Sequence, residues 1–437
     1  MPEFVPYRQF IDRLGSDKAE YHFDSLKAAL GFTSGGHSRA LEKMTKEKFV
    51  EEFDKICKHQ LARYDNGDVV CEHTYQDAHG NFVDCIPFDA HPSVRAIHQA
   101  KGTVANRAPA PLGLPLPELA DTMHRAPVLT PLVPPLLRGL RDRFGRPIAC
   151  PDGCVAVRRF TPAELATYGT LESCLRKYHG KPNPPGAGEA PAKGKGGKKK
   201  APAAAKTTKS KTKPAAPTAP PPAPQLGVDQ HLYATCNATN APGGPYSGCA
   251  VGLNVWDPNI GPGVFSLAQL WIEGANVGAG PETIESGWTV FPSGPGVGGS
   301  TDPVLFVYFN PDGYQGQSGY VGLLNQGFVP FSSPWVLMSG GQLPPSQTGS
   351  ANQRVIHMMW VFFTGTHAGW YLYLGTTPQD WHGVGYFPAQ NYTAPNSILR
   401  QGFGQNVRFG GEVCPVQGGF RTGQMGSGVY PNVDPEA

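Results

Sequence analysis

The chain has 437 residues, enough for two or three domains, and only 16% of them are charged while 40% are apolar. It has no apolar run of about 18 residues, so we expect no membrane-spanning helix. The first ten residues also lack the apolar core of a secretory signal. The chain is therefore either intracellular or a form from which a signal has been removed.

The formal net charge of +3 conceals two parts of opposite sign. From residue 226 onward the chain has four arginines, no lysine and eleven acidic residues, a net charge of −7, whereas the first 225 residues carry 33 basic and 23 acidic groups, or +10. Opposite charges suggest that the two parts attract each other. The lysines cluster in one linker-like run, so we expect no nucleic-acid partner.

Residues 1–181, the amino-terminal part, indicate a small α+β domain. Apolar residues at helical spacing predict a helix within 38–64, and alternation over 67–86 predicts a β-hairpin that turns at Gly80 and Asn81. A second helix is expected to begin near Thr161. Six of the nine cysteines lie here, and the segment C-P-D-G-C at 150–154 favours a disulfide framework over a zinc site.

Residues 182–225, the linker, are rich in lysine, proline and alanine and have no aromatic or branched aliphatic residue. Such a segment cannot bury enough apolar surface to offset its ordering entropy, so we expect a disordered tether. A tail that binds polyanions is the less favoured alternative.

Residues 226–437, the carboxy-terminal part, predict an all-β domain. Short apolar or alternating runs are separated by glycine, proline, asparagine and aspartate, and all seven tryptophans of the chain lie here. Many short strands with turn signals between them indicate a sandwich or a barrel.

Two glutamates stand out in this weakly charged part. Glu285 in T-I-E-S-G-W and Glu412 in F-G-G-E-V both lie beside glycine in apolar strand-like sequence. A pair of carboxylates is the minimum equipment for acid–base hydrolysis, although a strand glutamate is more often an outward, solvated residue. We find no P-loop, no H-E-x-x-H, no nucleophile elbow and no paired C-x-x-C, and the four histidines of this part lack ligand spacing. We therefore expect neither a metal nor a cofactor.

Eight sequence blocks of the carboxy-terminal part occur in the order found in one known family. They are G-L-N-V-W-D-P (252–258), F-S-L-A-Q-L-W-I (265–272), T-I-E-S-G-W-T-V-F-P (283–292), D-G-Y (312–314), L-L-N-Q-G-F-V (323–329), G-Y-F-P (385–388), F-G-G-E-V (409–413) and M-G-S-G (425–428). This part resembles the neprosin-type glutamic peptidases. The segments G-N-F-V-D-C-I (80–86) and C-P-D-G-C-V-A-V-R-R (150–159) are similar to the pro-region of that family.

The resemblance implies Glu285 and Glu412 as the catalytic pair of a secreted, acid-acting prolyl endopeptidase. We expect an antiparallel β-sandwich of two stacked sheets, with Glu412 as the base and Gln269 as a donor to the developing oxyanion. Trp288 is a candidate wall for a proline ring. The partners implied are proline-rich peptides or proteins and, as an intramolecular inhibitor, the amino-terminal part as a propeptide. Acid would weaken the charge attraction and allow self-processing in the proline-containing linker.

The cysteines depart from the family pattern. Two positions that often hold cysteine in the family are Tyr320 and Asn325 here, so both partners of one disulfide are missing together. We expect Cys236 and Cys249 to pair instead, which leaves Cys414 free beside Glu412.

Two other functions compete with a peptidase. Two carboxylates with surface tryptophans would also suit a glycosidase or a carbohydrate-binding sandwich, and a non-catalytic relative could retain both glutamates. The glycosylation sequons at Asn237 and Asn391 would matter outside the cytosol.

Overall fold

The computed structural model describes most of both parts of the chain. The described residues are 3–14, 23–25, 27, 44–77, 80–110, 129–131, 141–159, 170–171, 231–239, 245–260, 264–278, 280–291, 302–314, 327–331, 343, 345–347, 353–375, 381–415 and 424–426. The helix expected near Thr161, the linker, Tyr320 and Asn325 lie outside these ranges. Among the described residues, no helix is both long and apolar enough to cross a membrane.

The elements of the amino-terminal part are helices α1 (Tyr7–Asp12), α2 (Lys46–Arg63) and α3 (Pro92–Gln99) and strands β1 (His73–Gln76), β2 (Phe82–Pro87), β3 (Leu129–Pro131) and β4 (Cys154–Arg158). The strands of the carboxy-terminal part are β5 (Leu232–Thr239), β6 (Gly248–Asn254), β7 (Val264–Asn276), β8 (Pro281–Val290), β9 (Val304–Asn310), β10 (Val329–Pro330), β11 (Gln353–Phe363), β12 (Gly369–Gly375), β13 (Trp381–Pro388) and β14 (Asn406–Pro415).

The amino-terminal part has the predicted helix and hairpin. Helix α2 begins after Thr45, whose hydroxyl accepts a hydrogen bond from the Lys48 amide at 3.3 Å and so caps the helix. Strands β1, β2 and β4 form an antiparallel sheet in that order. A disulfide joins Cys85 to Cys150, whereas Cys154 is free.

A buried ion pair ties the elements of the amino-terminal part together. Asp84 on β2 is fully buried and accepts hydrogen bonds from the Arg159 guanidinium at 2.5 and 2.7 Å, from the Tyr64 hydroxyl at 2.8 Å and from the Thr74 hydroxyl at 2.6 Å. The Arg159 guanidinium also lies 4.6 Å from the ring centre of Phe10 on α1. The carboxylate of Asp84 on β2 thus holds together β1, the end of α2, the residue after β4 and, through Arg159, helix α1.

The carboxy-terminal part is the expected β-sandwich. One sheet has five antiparallel strands in the order β5–β14–β7–β8–β9. The other has the order β10–β13–β12–β11–β3, with β6 also paired to β11. Strand β3 comes from the amino-terminal part and pairs with β11 in parallel, so the two parts share a sheet.

Large apolar side chains from both sheets fill the space between them. This inter-sheet core includes Leu270, Ile284, Trp288, Trp360, Trp370 and Phe387, all at most 1% exposed. Each such side chain contributes about 1.5–3 kcal/mol by burial, so this core fixes the strand register that positions the outer faces.

The amino-terminal part covers the outer faces of both sheets. On the five-stranded sheet, one buried apolar cluster joins residues of the two parts; its members include Phe10, Phe49, Phe53, Ile56, Tyr64, Val157, Phe265, Leu267, Val304, Phe306 and Tyr308. On the other sheet, Val94 and Ile97 of α3 pack with Tyr371 and Tyr386. Nearby, the hydroxyl of Tyr373 donates to the Pro109 carbonyl at 2.8 Å.

The predicted disulfide between Cys236 and Cys249 is wrong. Cys236 lies on β5, which pairs with β14, and Cys249 lies on β6, which pairs with β11 in the opposite sheet. Neither forms a disulfide, so Cys236 and Cys249 are both free thiols. The prediction assumed that β5 and β6 form a hairpin, but the chain crosses from one sheet to the other between them.

Two histidines of the amino-terminal part are held in their neutral form, His91 fully buried and His59 half-buried. Nδ1 of His91 accepts a hydrogen bond from the Ser93 amide at 3.3 Å and so caps α3. Burial, with the nearby Arg63 and Arg95, lowers the pKa of His91 to about 3. Burial and Arg63 likewise lower the pKa of His59 to about 4. Below the ordinary histidine value of 6.5, the unfolded chain binds protons that the folded chain refuses, so acid destabilises this part.

Replacing Asp84 by asparagine should strongly destabilise the amino-terminal part. The substitution leaves the buried Arg159 charge without its counter-ion, and breaking a buried pair in this way costs about 3–5 kcal/mol. Urea unfolding followed by circular dichroism measures the loss. The control is Asp54→Asn, which removes the exposed partner of Lys58 and should leave the midpoint unchanged. Equal midpoints for Asp84→Asn and wild type would contradict a structural role for the ion pair.

Acid should open helix α3 through His91. At pH 4.5, two units below the ordinary histidine pKa, keeping His91 neutral lowers the free energy of unfolding by about 2–3 kcal/mol. Protonation of Nδ1 would also remove the acceptor that caps α3. Hydrogen exchange measured by mass spectrometry, corrected for the intrinsic pH dependence, should show α3 losing protection between pH 7.5 and 4.5.

The variant His91→Asn keeps a capping oxygen but does not titrate, so its α3 protection should vary less with pH. Replacing the exposed His98 by asparagine is the matched control and should behave like wild type. If His91→Asn loses α3 protection in acid as wild type does, His91 is not the acid-sensitive group.

Candidate active site

Strand alternation places both glutamates on the outer face of the five-stranded sheet. Glu412 on β14 lies opposite Leu267 on β7, and Glu285 on β8 lies opposite Trp271 on β7. Paired residues, and residues two apart on one strand, share a face. Gln269, between Leu267 and Trp271 on β7, therefore points to the same side as both glutamates.

The carboxylate of Glu412 is held at both oxygens. Oε2 accepts a hydrogen bond from the side-chain amide of Gln269 at 3.0 Å, and Oε1 lies 2.5 Å from Nδ1 of His231. Tyr233 on β5 lies directly opposite Glu412. Burial and then the charges of Glu412 and Glu285 raise the pKa of Tyr233, so it stays a neutral hydroxyl.

Two hydroxyls converge on Oε1 of Glu285. Thr283, two residues earlier on β8, donates at 2.9 Å, and Tyr314 donates at 3.0 Å. A turn after β9 delivers Tyr314: its amide donates to the Asn310 side chain at 2.8 Å, and its φ of +66° is in the left-handed region. Burial and then Glu285 raise the pKa of Tyr314, which keeps this phenol a donor.

Glycines form the row between the two glutamates. Gln269 lies between Gly410 on one side and Gly287 on the other. A Cβ at Gly287 would lie 2.0 Å from the Ala268 carbonyl oxygen, and a Cβ at Gly410 would lie 2.1 Å from that of Ala234. The backbones approach too closely there for any side chain, which leaves Gln269 standing alone between the carboxylates.

The structure separates the sequence-predicted residues by face. Glu285, Glu412 and Gln269 lie together, whereas Trp288 belongs to the inter-sheet core and donates its indole N–H to the Asn254 carbonyl at 2.7 Å. Trp288 is on the face opposite to the glutamates, so it cannot wall a substrate bound beside them. The tryptophan on the glutamate face is Trp271.

Sequence reasoning missed five residues of this site: His231, Tyr233, Trp271, Thr283 and Tyr314. Counting in steps of two from Glu285 identifies Thr283, and the same count from Gln269 identifies Trp271. No local signal marks His231 or Tyr233, because the pairing of β5 with β14 joins segments far apart in sequence.

The amino-terminal part closes this face in the present structure. Glu285 and Glu412 are both 0% exposed. Tyr308, opposite Glu285 on β9, and Tyr314 pack in the apolar cluster that contains Phe49 and Phe53 of α2. Solvent therefore does not reach either carboxylate while this cluster is intact.

The two sequons have different surroundings. Asn237 is exposed on β5. The side-chain amide nitrogen of Asn391 donates to the Gly327 carbonyl at 2.8 Å, so the fold already uses the atom that a glycan would occupy. Within the described part of the chain, no group of three or more histidine, cysteine or acidic side chains is arranged to hold a metal ion.

A comparison with protein families matches the same region. Residues 262–437 match the family model described as Neprosin. The matched segment contains Gln269, Glu285 and Glu412 but begins after His231 and Tyr233.

Proposed function

Since residues 262–437 are a neprosin-family domain, which suggests a peptidase, we propose that this protein is a glutamic endopeptidase that uses Glu285 and Glu412. One observation carries the proposal: two fully buried carboxylates share one sheet face, and each is oriented by hydrogen-bond donors. Buried carboxylates are costly unless they are paired, bonded or useful. The remaining details of the function are proposals that extend this one.

Glu412 is the general base in this mechanism. Its two oxygens face Gln269 and His231, an arrangement that suits the ionised form. Glu412 takes a proton from water as the water oxygen attacks the scissile carbonyl carbon. Glu285 enters protonated and gives its proton to the leaving amine nitrogen as the C–N bond breaks. The pair holds one proton before and after the cycle, and this requirement favours acidic pH.

Cleavage after proline rests on the family resemblance and suits the surroundings of the pair. The aromatic rings of Trp271 and Tyr233 lie 6.3 Å apart at the floor of the site. Beside them, Gly287 and Gly410 present no side chain. A flat, apolar ring such as that of proline can stack on these two aromatic side chains, where the neighbouring glycines leave room for it.

The amino-terminal part acts as an inhibitory propeptide of a secreted zymogen in this proposal. Its apolar side chains cover the glutamates, and acid does not weaken this apolar packing. It also contains His59 and His91, and their protonation in acid destabilises the fold that encloses them. The charge difference between the two parts adds a second acid-sensitive attraction. The Cys85–Cys150 disulfide is compatible with an oxidising compartment.

A sugar-directed function has less support. That alternative requires tryptophans on the surface, but of the six described tryptophans four are 0% exposed and the other two, Trp256 and Trp381, are half-buried. The outer glutamate face is covered by protein rather than lined by an open aromatic floor.

Replacing either glutamate by glutamine should abolish peptide hydrolysis. We expect Glu285→Gln and Glu412→Gln each to lower kcat at least about 10²-fold, the usual contribution of a general acid or base. The measurement is mass spectrometry of the products from a proline-rich protein across acidic pH, which also reports whether cuts follow proline.

The matched control is Glu282→Gln on the same strand β8. Glu282 is also buried, and its Oε1 accepts hydrogen bonds from the backbone amides of Ile398 and Leu399 at 2.8 and 2.9 Å, so its role is structural. This variant should lose thermal stability and keep its activity per folded molecule. Normal cleavage by Glu285→Gln or Glu412→Gln would refute the proposed pair.

Acid should trigger cleavage of the chain within its own linker. Residues 182–225 contain several prolines, among them Pro214 and Pro217, and connect the covering part to the site that it covers. Incubation at acidic pH should shorten wild type but not Glu412→Gln, as followed by intact-mass spectrometry. Equal shortening of the two proteins would point to a contaminating protease, and no shortening at any acidic pH would exclude self-processing.

A further inference from the structure

Among the residues that the structure describes, the indole N–H of Trp271 is a buried donor without an acceptor. Trp271 is 0% exposed, and its Nε1 finds no hydrogen-bond partner among the described residues. Three other buried tryptophans behave differently. Nε1 of Trp288 donates to the Asn254 carbonyl, that of Trp360 to the Ser286 hydroxyl and that of Trp370 to the Leu399 carbonyl, at 2.7–2.8 Å.

Leaving this donor unpaired is costly. A buried N–H that has lost water without gaining an acceptor costs about 1–3 kcal/mol. More than nine in ten buried polar groups in native proteins have a partner, so an exception calls for a physical reason. A donor that is kept free for a ligand provides such a reason, provided that the donor lies where the ligand binds.

Trp271 occupies the centre of the glutamate face. It lies on β7, directly opposite Glu285 on β8 and Arg408 on β14, and two residues after Gln269. The middle strand thus presents Gln269 and Trp271 side by side, between the strands that carry the two glutamates. Any peptide bond placed between Glu412 and Glu285 must lie over this strand.

The neighbouring donors are already engaged. The amide of Gln269 bonds Glu412, and the hydroxyls of Thr283 and Tyr314 bond Glu285. Arg408 forms an ion pair with Glu273 at 3.0 Å. Of the described donors named here, the indole N–H of Trp271 is the one without an acceptor.

We propose that the indole N–H of Trp271 donates to the carbonyl oxygen of the scissile peptide bond and stabilises the oxyanion of the tetrahedral intermediate. This assignment rests on the proposed peptidase function and transfers to Trp271 the role that the sequence suggested for Gln269. An indole suits an acid-acting enzyme because it does not titrate and is a donor only. A fixed neutral donor that is already in place stabilises developing charge without reorganising.

Each bond of the step is accounted for. The oxygen of water forms a bond to the carbonyl carbon and passes a proton to Glu412. The carbonyl π electrons move to oxygen, where the N–H of Trp271 meets the negative charge. Collapse re-forms C=O and breaks the C–N bond, and Glu285 gives its proton to the leaving nitrogen.

The test compares Trp271→Phe with Trp370→Phe in the full, acid-processed chain. Trp271→Phe should lower kcat by about 10²–10³-fold, as removal of one oxyanion donor does, with KM nearly unchanged. Both variants lose the same buried ring volume, so the thermal midpoint of Trp271→Phe before processing should fall less than that of Trp370→Phe. Trp370→Phe loses a real bond, so its midpoint should fall while kcat stays normal.

Normal kcat in Trp271→Phe, or a raised KM with kcat intact, would overturn the assignment. A wild type that hydrolyses no peptide would overturn the proposed function, and with it this role. Should Trp271→Phe fail to fold, benzothienylalanine at position 271 keeps the bicyclic shape and replaces N–H by sulfur. A normal kcat in that protein would equally refute the assignment.

Discussion

The site depends on the alternation of side chains across the five-stranded sheet. Strand β7 shows the constraint best: Leu270 and Ile272 point into the inter-sheet core, and Gln269 and Trp271 point to the outer face. A slip of one residue would exchange the two sets. Such a slip would bury the Gln269 amide in the apolar core without Glu412 and would remove Leu270 and Ile272 from that core, so the core fixes the geometry of the opposite face.

Covering that face creates an energetic conflict. Two carboxylates lie beneath an apolar cluster, where ionised groups lose their hydration. Donors from Gln269, Thr283 and Tyr314 and the ring of His231 replace part of that hydration. The indole N–H of Trp271, which has no acceptor in the described part of the chain, adds a further cost. These unfavourable terms make the closed form easier to open, as the proposed self-processing requires.

The sequence predicted the parts of this arrangement that local pattern controls. The glycines close to Glu285 and Glu412 in the sequence indicated the site, because the strands approach each other so closely at Gly287 and Gly410 that only glycine fits. Trp288 could have been excluded, since it lies three positions after Glu285 and alternation sends it to the other side. Cys236 is different: its distance from Cys249 depends on which sheet each strand joins, and this is a long-range property that no local spacing records.

Acid affects the stability of the two parts of the chain differently. In the amino-terminal part, burial lowers the pKa of His59 and His91, so their folded surroundings lose stability as pH falls below the ordinary histidine value. In the carboxy-terminal part, burial lowers the pKa of His357 but raises those of Asp257 and Glu273. A carboxyl group with a raised pKa binds its proton more readily when folded, so it gains stability in acid. The amino-terminal part thus loses stability as pH falls, whereas Asp257 and Glu273 give the sandwich a compensating gain, a difference that fits the proposed release of the amino-terminal part in acid.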